Sequence, residues 1–333
     1  MKKFINNPQD LVTELLEGNA AANADLVQLE KGRLTVSRAL DSADRVTVVG
    51  IGGSGHEPAP VGFVGEGMLD IAVSGEIFVA PESDITIEAV KRADRGKGVI
   101  LVVLNHQGDL LTGEKTVEEC RRKGIRIREI ITQEDISSAP RSKASERRGL
   151  VGCILLYKIV GAAAAMGRSL DETARIGQRF ADQMATLAVG LSGATHPVTG
   201  VKLAEFGEDD MEIGMGQHGE EGGGRQKIKT ADEVAVIMLD ALLRDLKIKS
   251  GEQVMLVLDG MGATTLMELF IVYRKCASYL KEKNIEITAD YVGNLLTVQE
   301  SAGFQMFLAR MDPELTELWN RPCNTPYFKK MQN

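Results

Sequence analysis

Short runs of apolar, β-branched residues alternate along this chain with longer stretches whose apolar positions recur every three to four residues. RVTVVG (45–50), GVILVVLN (98–105), IRIREII (125–131), QVMLVLDG (253–260) and IEITADYVG (285–293) end in glycine, asparagine or charge, and they read as buried strands. The helical stretches between them carry their own start signals. Ser169 followed by Glu172, and Thr230 followed by Glu233, each fit the Ser/Thr-x-x-Glu capping box. TTLMELFIVYRKCASYLKEK (264–283) is a further helix, with Thr264 or Thr265 placed to cap it. Strand–helix–strand alternation in both halves gives an α/β fold. The helical 150–188 region separates the two groups of strands, so we expect two domains, 1–183 and 184–333. Each is expected to be a mixed or mostly parallel sheet flanked by helices.

Composition narrows the function classes. Of 333 residues, 44% are hydrophobic and 26% charged, which is ordinary globular usage. The formal net charge of −8 argues against a nucleic-acid partner, because phosphate backbones need a basic face. The most apolar stretch, LVGCILLYKIVGAAAAMG (150–167), is interrupted by Lys158 and is short for a bilayer span, so it reads as a buried helix and no membrane partner is expected. The N-terminal MKKFINNPQD has no apolar segment behind its lysines, and Cys120, Cys153, Cys276 and Cys323 form no Cys-x-x-Cys pair. These features describe a cytoplasmic chain with no disulfide framework and no zinc knuckle.

Chemistry is concentrated in glycine-rich turns that follow or bracket strands, where ligands of open α/β sheets bind. In VTVVGIGGSGHEPAP, Gly50, Gly52 and Gly55 match the spacing of a dinucleotide-binding fingerprint. That fingerprint needs a helix directly after the turn, and Pro58, Pro60, Gly62, Gly65 and Gly67 make a poor one. The remaining readings are a structural turn, or a backbone cradle that presents the Gly53 N–H and the His56 side chain to a small oxygenated ligand. In VVLNHQGDLL (102–111) a strand empties into Asn105, His106, Gln107, Gly108 and Asp109. Asparagine and aspartate at such a place commonly just turn the chain. A carboxylate delivered to the same sheet edge as His56 also suits a general base for a hydroxyl proton, with His106 as a wall. GMGQHGEEGGGR (214–225) sets His218 among six glycines on neither a helical nor a strand period. It is either a loop histidine facing solvent or a group around which the backbone must close tightly. His218, Glu220 and Glu221 have no spacing that aims them at one ion, and no metal is expected. DGMGATTLMEL (259–269) lacks the Gly-Lys-Ser/Thr of a phosphate loop.

Taken in order, GGSGHEP (52–58), GEIFVAPE (75–82), NHQGDLL (105–111) and GMGQHGEEG (214–222) resemble the ketose-binding subunit family of the dihydroxyacetone kinases, and the resemblance extends over nearly the whole chain. It implies a ketose site between the two domains. His218 would add to the ketone carbonyl and hold the substrate as a covalent hemiaminal. A glycerol-like polyol offers the histidine nothing to attack, so such a bond selects ketoses. Asp109 would accept the proton of the hydroxyl being phosphorylated, with His56 assisting, while Gly53, Ser54, Gly108 and His106 line the substrate. Single-chain family members carry an additional helical nucleotide-binding domain. The resemblance therefore implies a separate helical kinase subunit holding Mg-ADP or Mg-ATP, no cofactor on this chain, and a homodimer.

Three positions depart from the dihydroxyacetone-using pattern. Leu104 stands where lysine is usual, Ala80 where serine is usual, and His106 where an aromatic is common. Losing an ammonium and a hydroxyl changes which hydroxyls a pocket can satisfy, and selectivity responds strongly to such losses. Erythrulose, a tetrulose, is the alternative substrate. A non-catalytic ketose-sensing co-activator is the alternative role, although retention of both His56 and Asp109 favours catalysis.

Overall fold

The computed structural model describes residues 3–220 and 222–331. The chain divides into two compact units, the first formed by Met1–Thr132, Cys153–Ala181 and Glu317–Asn333, the second by Gln133–Gly152 and Asp182–Thr316. The division expected at 183 lies beside one crossing between units. The segments 133–152 and 317–333 each belong with the unit on the other side of that division.

The first unit is built on strands β1 (Val27–Glu30), β2 (Leu34–Ser37), β3 (Thr47–Ser54), β4 (Ile71–Ile77), β5 (Val99–Leu104) and β6 (Ile127–Thr132), in the order β1-β2-β4-β3-β5-β6. From β4 to β6 the neighbours are parallel, while β1 and β2 form an antiparallel edge. All six residues of β5 are buried, because VILVVL has no polar face to give to water and fits only a strand covered on both sides. Its helices are α1 (Leu11–Ala22), α2 (Ser83–Ala93), α3 (Gln107–Arg122), α4 (Gly152–Ala165) and α5 (Leu170–Asp182). Ser169 and Glu172 exchange the two capping-box hydrogen bonds that begin α5. Helix α4 is the apolar stretch and is buried along nearly its whole length, Lys158 included. Lys158 Nζ donates to the Leu318 carbonyl at 2.8 Å, and burial lowers its pKa to about 8. Among the described residues no helix is long and apolar enough to cross a membrane, and the four cysteines are free and buried.

The second unit holds β7 (Met184–Gly190), β8 (Asp210–Ile213), β9 (Arg225–Lys227), β10 (Gln253–Gly260), β11 (Glu286–Gly293) and β12 (Gly303–Met311), ordered β11-β10-β12-β7-β8-β9. Only β10 and β11 run parallel; the other neighbours are antiparallel, so this sheet is mixed. Helices α6 (Ala231–Leu246) and α7 (Leu266–Glu282) each begin in a capping box, Thr230 with Glu233 and Thr265 with Glu268. The 150–188 region is helical only to Asp182. Residues 184–190, MATLAVG, form β7 and are buried throughout. A continuous apolar run carries no period that separates a buried strand from a buried helix, and here sheet pairing decides.

Candidate functional site

In the first unit the sheet connects β3 to β4 on one side and has β5 on the other. The carboxyl ends of β3 and β5 therefore flank a topological switch point, where open α/β sheets leave a crevice. Parallel pairing sets Gly50 beside Val102, so the turns after both strands emerge at the same edge. The first turn carries Gly53, Ser54 and His56; the second carries His106, Gly108 and Asp109. The turn after β3 leads through two cis prolines, Pro58 and Pro60, into a three-residue 3-10 turn. It does not lead into a helix, so Gly50, Gly52 and Gly55 have no helix N-terminus on which to seat a pyrophosphate.

A third segment, GEIFVAPE (75–82), ties the two turns together. Phe78 N donates to the Ser54 carbonyl at 2.9 Å, and Ser54 Oγ donates to the Gly75 carbonyl at 2.8 Å. A Cβ on Gly53 would meet Val79 N at 2.8 Å, so this glycine is required by close backbone approach. On the other turn, a Cβ on Gly108 would lie 3.0 Å from the Ala80 methyl, and Thr112 Oγ1 donates to the Pro81 carbonyl at 2.8 Å. The Ala80 and His106 departures thus sit beside the turns that carry Gly53 and Asp109. Leu104 is the last residue of β5 and is buried.

His56 is buried, its ring centroid 5.1 Å from that of Phe78. Glu57 accepts from Gly55 N at 3.0 Å, and burial pushes its carboxyl above the usual range against that hydrogen bond. Asp109 is buried in the first turn of α3, where the positive end of the helix dipole favours a carboxylate. His106 precedes the helix as its N-cap position, and its side chain makes no capping hydrogen bond. Tyr157 of α4 lies behind this edge, its Cζ 3.1 Å from where a Cβ on Gly50 would be. Burial holds the Tyr157 phenol well above its usual pKa, and Cys153 and the Asp109 carboxylate reinforce the shift. Nothing in the local sequence around Tyr157 distinguishes it from the rest of an apolar helix.

In the second unit His218 lies in the turn that follows β8. This turn is tied down at both ends and within itself. Gly214 N donates to the Ala188 carbonyl at 2.7 Å, Gly216 N to the Glu220 carbonyl at 2.7 Å, and Gly222 N to Glu212 Oε1 at 2.8 Å. Glu220 folds back on the histidine: Oε2 accepts from His218 N at 2.8 Å, and Oε1 stands 3.5 Å from Nδ1. Burial pushes the Glu220 carboxyl up, but the hydrogen bonds and charge of His218 outweigh it and bring it down to about 2. An ionised carboxylate facing Nδ1 of a half-buried histidine favours a proton on that nitrogen over one on Nε2. Glu221, the third residue weighed for a metal, lies outside the described residues.

The polar groups of the 259–269 turn are bonded within the fold. Asp259 is fully buried, and its Oδ1 accepts from Leu295 N at 2.6 Å and Leu296 N at 3.2 Å. Burial raises its carboxyl well above the usual range against those two hydrogen bonds, through which it ties one loop to β10. Thr264 Oγ1 is likewise occupied by the Gly303 backbone, and the first turn of α7 by its capping box.

Comparison with known proteins decides the family. The Dak1 domain matches residues 17–327. This chain belongs to the Dak1 domain family. Over 99% of both chains, this Dak1 domain is 35% identical to the dihydroxyacetone-binding subunit of a PTS-dependent dihydroxyacetone kinase from Listeria innocua. It is 34% identical to an L-erythrulose kinase of Pectobacterium atrosepticum, covering 99% of this chain and 56% of that longer protein. Among solved structures, the dihydroxyacetone kinase operon co-activator Dha-DhaQ superposes with a TM-score of 0.90 at 30% identity, over 96% of this chain and 99% of that one. The two α/β sheets flanked by helices are thus the fold of this family.

Proposed function

We propose that this chain is the ketose-holding subunit of a dihydroxyacetone-type kinase, acting with a separate subunit that carries the Mg-nucleotide. The observation that carries the reading is the placement of His218 Nδ1 opposite the Glu220 carboxylate, 3.5 Å away. This arrangement leaves the Nε2 lone pair as the nucleophile. In the proposed capture, Nε2 forms a bond to the ketone carbon, the C=O π pair moves to oxygen, and the oxygen takes up a proton. The ring gains positive charge as the bond forms, which Glu220 stabilises, and then gives up the Nδ1 proton to solvent in place of the one the oxygen took up, leaving a neutral hemiaminal.

Phosphorylation then falls to the first-unit residues. Asp109 accepts the proton of the terminal hydroxyl as its oxygen bonds to phosphorus, His56 donates to or accepts from the same hydroxyl, and the nucleoside diphosphate leaves with the partner subunit. The Gly53 N–H binds a substrate oxygen, and Ser54, Gly108 and His106 line the space. Because the transition state of phosphoryl transfer is loose, a subunit that only grips and orients the acceptor can supply a large part of the catalysis. Homodimer formation and a PTS-recharged or ATP donor are part of the same reading, supported by the family alone.

Erythrulose is the second substrate reading, favoured by Ala80 beside Gly108 and by Leu104 at the end of β5. The similarity to an erythrulose kinase supports it. The ketose-sensing co-activator is the non-catalytic reading, supported by the similarity to Dha-DhaQ.

The test is carbon-13 NMR of dihydroxyacetone and erythrulose labelled at the carbonyl, mixed with the wild-type protein and with His218→Ala. A bound signal at a tetrahedral-carbon shift, lost in the variant, supports capture, and the ketose that reacts more completely is the substrate. If both carbonyl signals stay trigonal with wild-type protein, covalent capture is wrong.

A further inference from the structure

The His218 turn is held from beneath by a side chain that lies 70 residues away in sequence and makes no bond to His218. Arg148 precedes α4, and its guanidinium is largely buried. Its Nε donates to Asp135 Oδ2 at 2.8 Å, and its Nη2 donates to Ser137 Oγ at 3.0 Å and to the Gly214 carbonyl at 3.3 Å. Ser137 Oγ lies 2.6 Å from Asp135 Oδ1 and 2.9 Å from the same Gly214 carbonyl. The first residue of the His218 turn is thus bound twice to one buried polar cluster. The edge of Arg148 left over, Nη1, faces Glu220 Oε2 at 4.0 Å. Gly216 lies between the two groups: a Cβ there would fall 2.1 Å from Arg148 Nη1 and 2.3 Å from Glu220 Oε2. Gly216 is not among the residues with positive φ, so its backbone accepts any residue. It is glycine because Arg148 and Glu220 close over it.

We propose that Arg148 is a positioning residue for His218, acting through Glu220 and the Gly214 carbonyl. The guanidinium fixes where the turn begins and holds the Glu220 carboxylate against the His218 ring. The carboxylate then faces the Nδ1–H as its acceptor, and the lone pair is kept on Nε2. Arginine suits the task because its planar fork reaches Asp135, Ser137, Gly214 and Glu220 in one fixed geometry, which a lysine ammonium cannot span. The inference rests on the reading of His218 as the nucleophile. The bland alternative is that Arg148 only neutralises buried Asp135 and supports the loop. That alternative predicts a change in stability and none in the histidine.

The experiment combines three readouts on full-length wild type, Arg148→Met, Arg148→Lys and Gly216→Ala: thermal melting, nitrogen-15 NMR of the ligand-free His218 ring, and the equilibrium constant of the tetrahedral adduct with carbonyl-labelled dihydroxyacetone and erythrulose. We expect the wild-type ring to be protonated at Nδ1. We expect Arg148→Met and Gly216→Ala to shift protons to Nε2 and to weaken the adduct about tenfold or more, the scale of losing a charge-assisted contact. Arg148→Lys should lie between. Gly216→Ala separates Arg148 from Glu220 without removing the buried charge, so it keeps the question open to measurement if Arg148→Met does not fold. Variants that melt earlier yet keep the wild-type tautomer, and an adduct constant within twofold, would overturn the proposal. If the wild type forms no adduct, the ketose reading fails by itself, and an unchanged tautomer in Gly216→Ala and Arg148→Lys sinks the Arg148 inference separately.

Discussion

The backbone nitrogen of Val79 lies 2.8 Å from the point where a Cβ on Gly53 would stand, and the Val79 carbonyl oxygen lies 3.0 Å from it. Backbone cannot rotate out of the way as a side chain can. We therefore expect Gly53→Ala to displace the 78–80 segment from the end of β3 and to destabilise the fold by about 1–3 kcal/mol, the usual range for overpacking. Thermal melting reads the stability loss, and ketose titration should show weakened binding. An alanine variant with wild-type melting and binding would mean that this approach is looser than it stands here.

Asp109→Asn removes a base but keeps the shape and burial of the first turn of α3. Ketose capture, read by the carbonyl carbon shift, should be retained. Phosphorylation with the nucleotide-bearing partner should fall by roughly 100-fold or more, the span typical of a lost general base. Full turnover in the variant would remove Asp109 from the mechanism.

Lys158 links the fold to alkaline pH. Burial lowers its folded-state pKa to about 8, against an ordinary value near 10.5. Below pH 8 both folded and unfolded chains hold the proton, and the buried charge weakens the fold. Between 8 and 10.5 the unfolded chain binds more protons, so stability rises with pH, by on the order of 3 kcal/mol in all. Denaturant titrations should show this rise in wild type and not in Lys158→Met. A flat wild-type profile would place the ammonium in contact with water.

Glu134 predicts the opposite slope at lower pH. Burial raises its carboxyl to about 7, although its Oε1 accepts from Leu150 N at 2.8 Å and Gly152 N at 2.9 Å. From about 4.5 to 7 the folded state holds a proton that the unfolded state has released, so this group's contribution falls as pH rises. Glu134→Gln keeps the acceptor oxygen and cannot ionise. It should match wild type near pH 4 and exceed it in stability above pH 7, as chemical denaturation at the two pH values would show. Equal loss at both would mean that the carboxylate is ionised and satisfied.

Much of the candidate site was legible because chemistry and local conformation coincide in short stretches. The strands near 47–54, 99–104, 127–132, 253–260 and 286–293, and the capping boxes at Ser169 and Thr230, are local signals, since β-branched runs and side-chain-to-backbone bonds act over a few residues. His56, Asp109 and His218 stood out for the same reason, each in a glycine-rich turn beside a strand. Strand β7 was hidden, because seven buried residues, all apolar but Thr186, carry no period. The crossings between units near 132, 152 and 316 carry no composition signal.

The sequence by itself determined the α/β class, the turns that bear the chemistry and the residue types offered there, through interactions between near neighbours. Tertiary structure alone decided what surrounds those residues. It brought Val79 against Gly53, Tyr157 behind Gly50, and Arg148 beneath the His218 turn through Asp135, Ser137 and Gly214. These partners are 11 to 107 residues apart, so no local pattern joins them. They meet because buried charges and backbone groups must find hydrogen bonds wherever packing puts them.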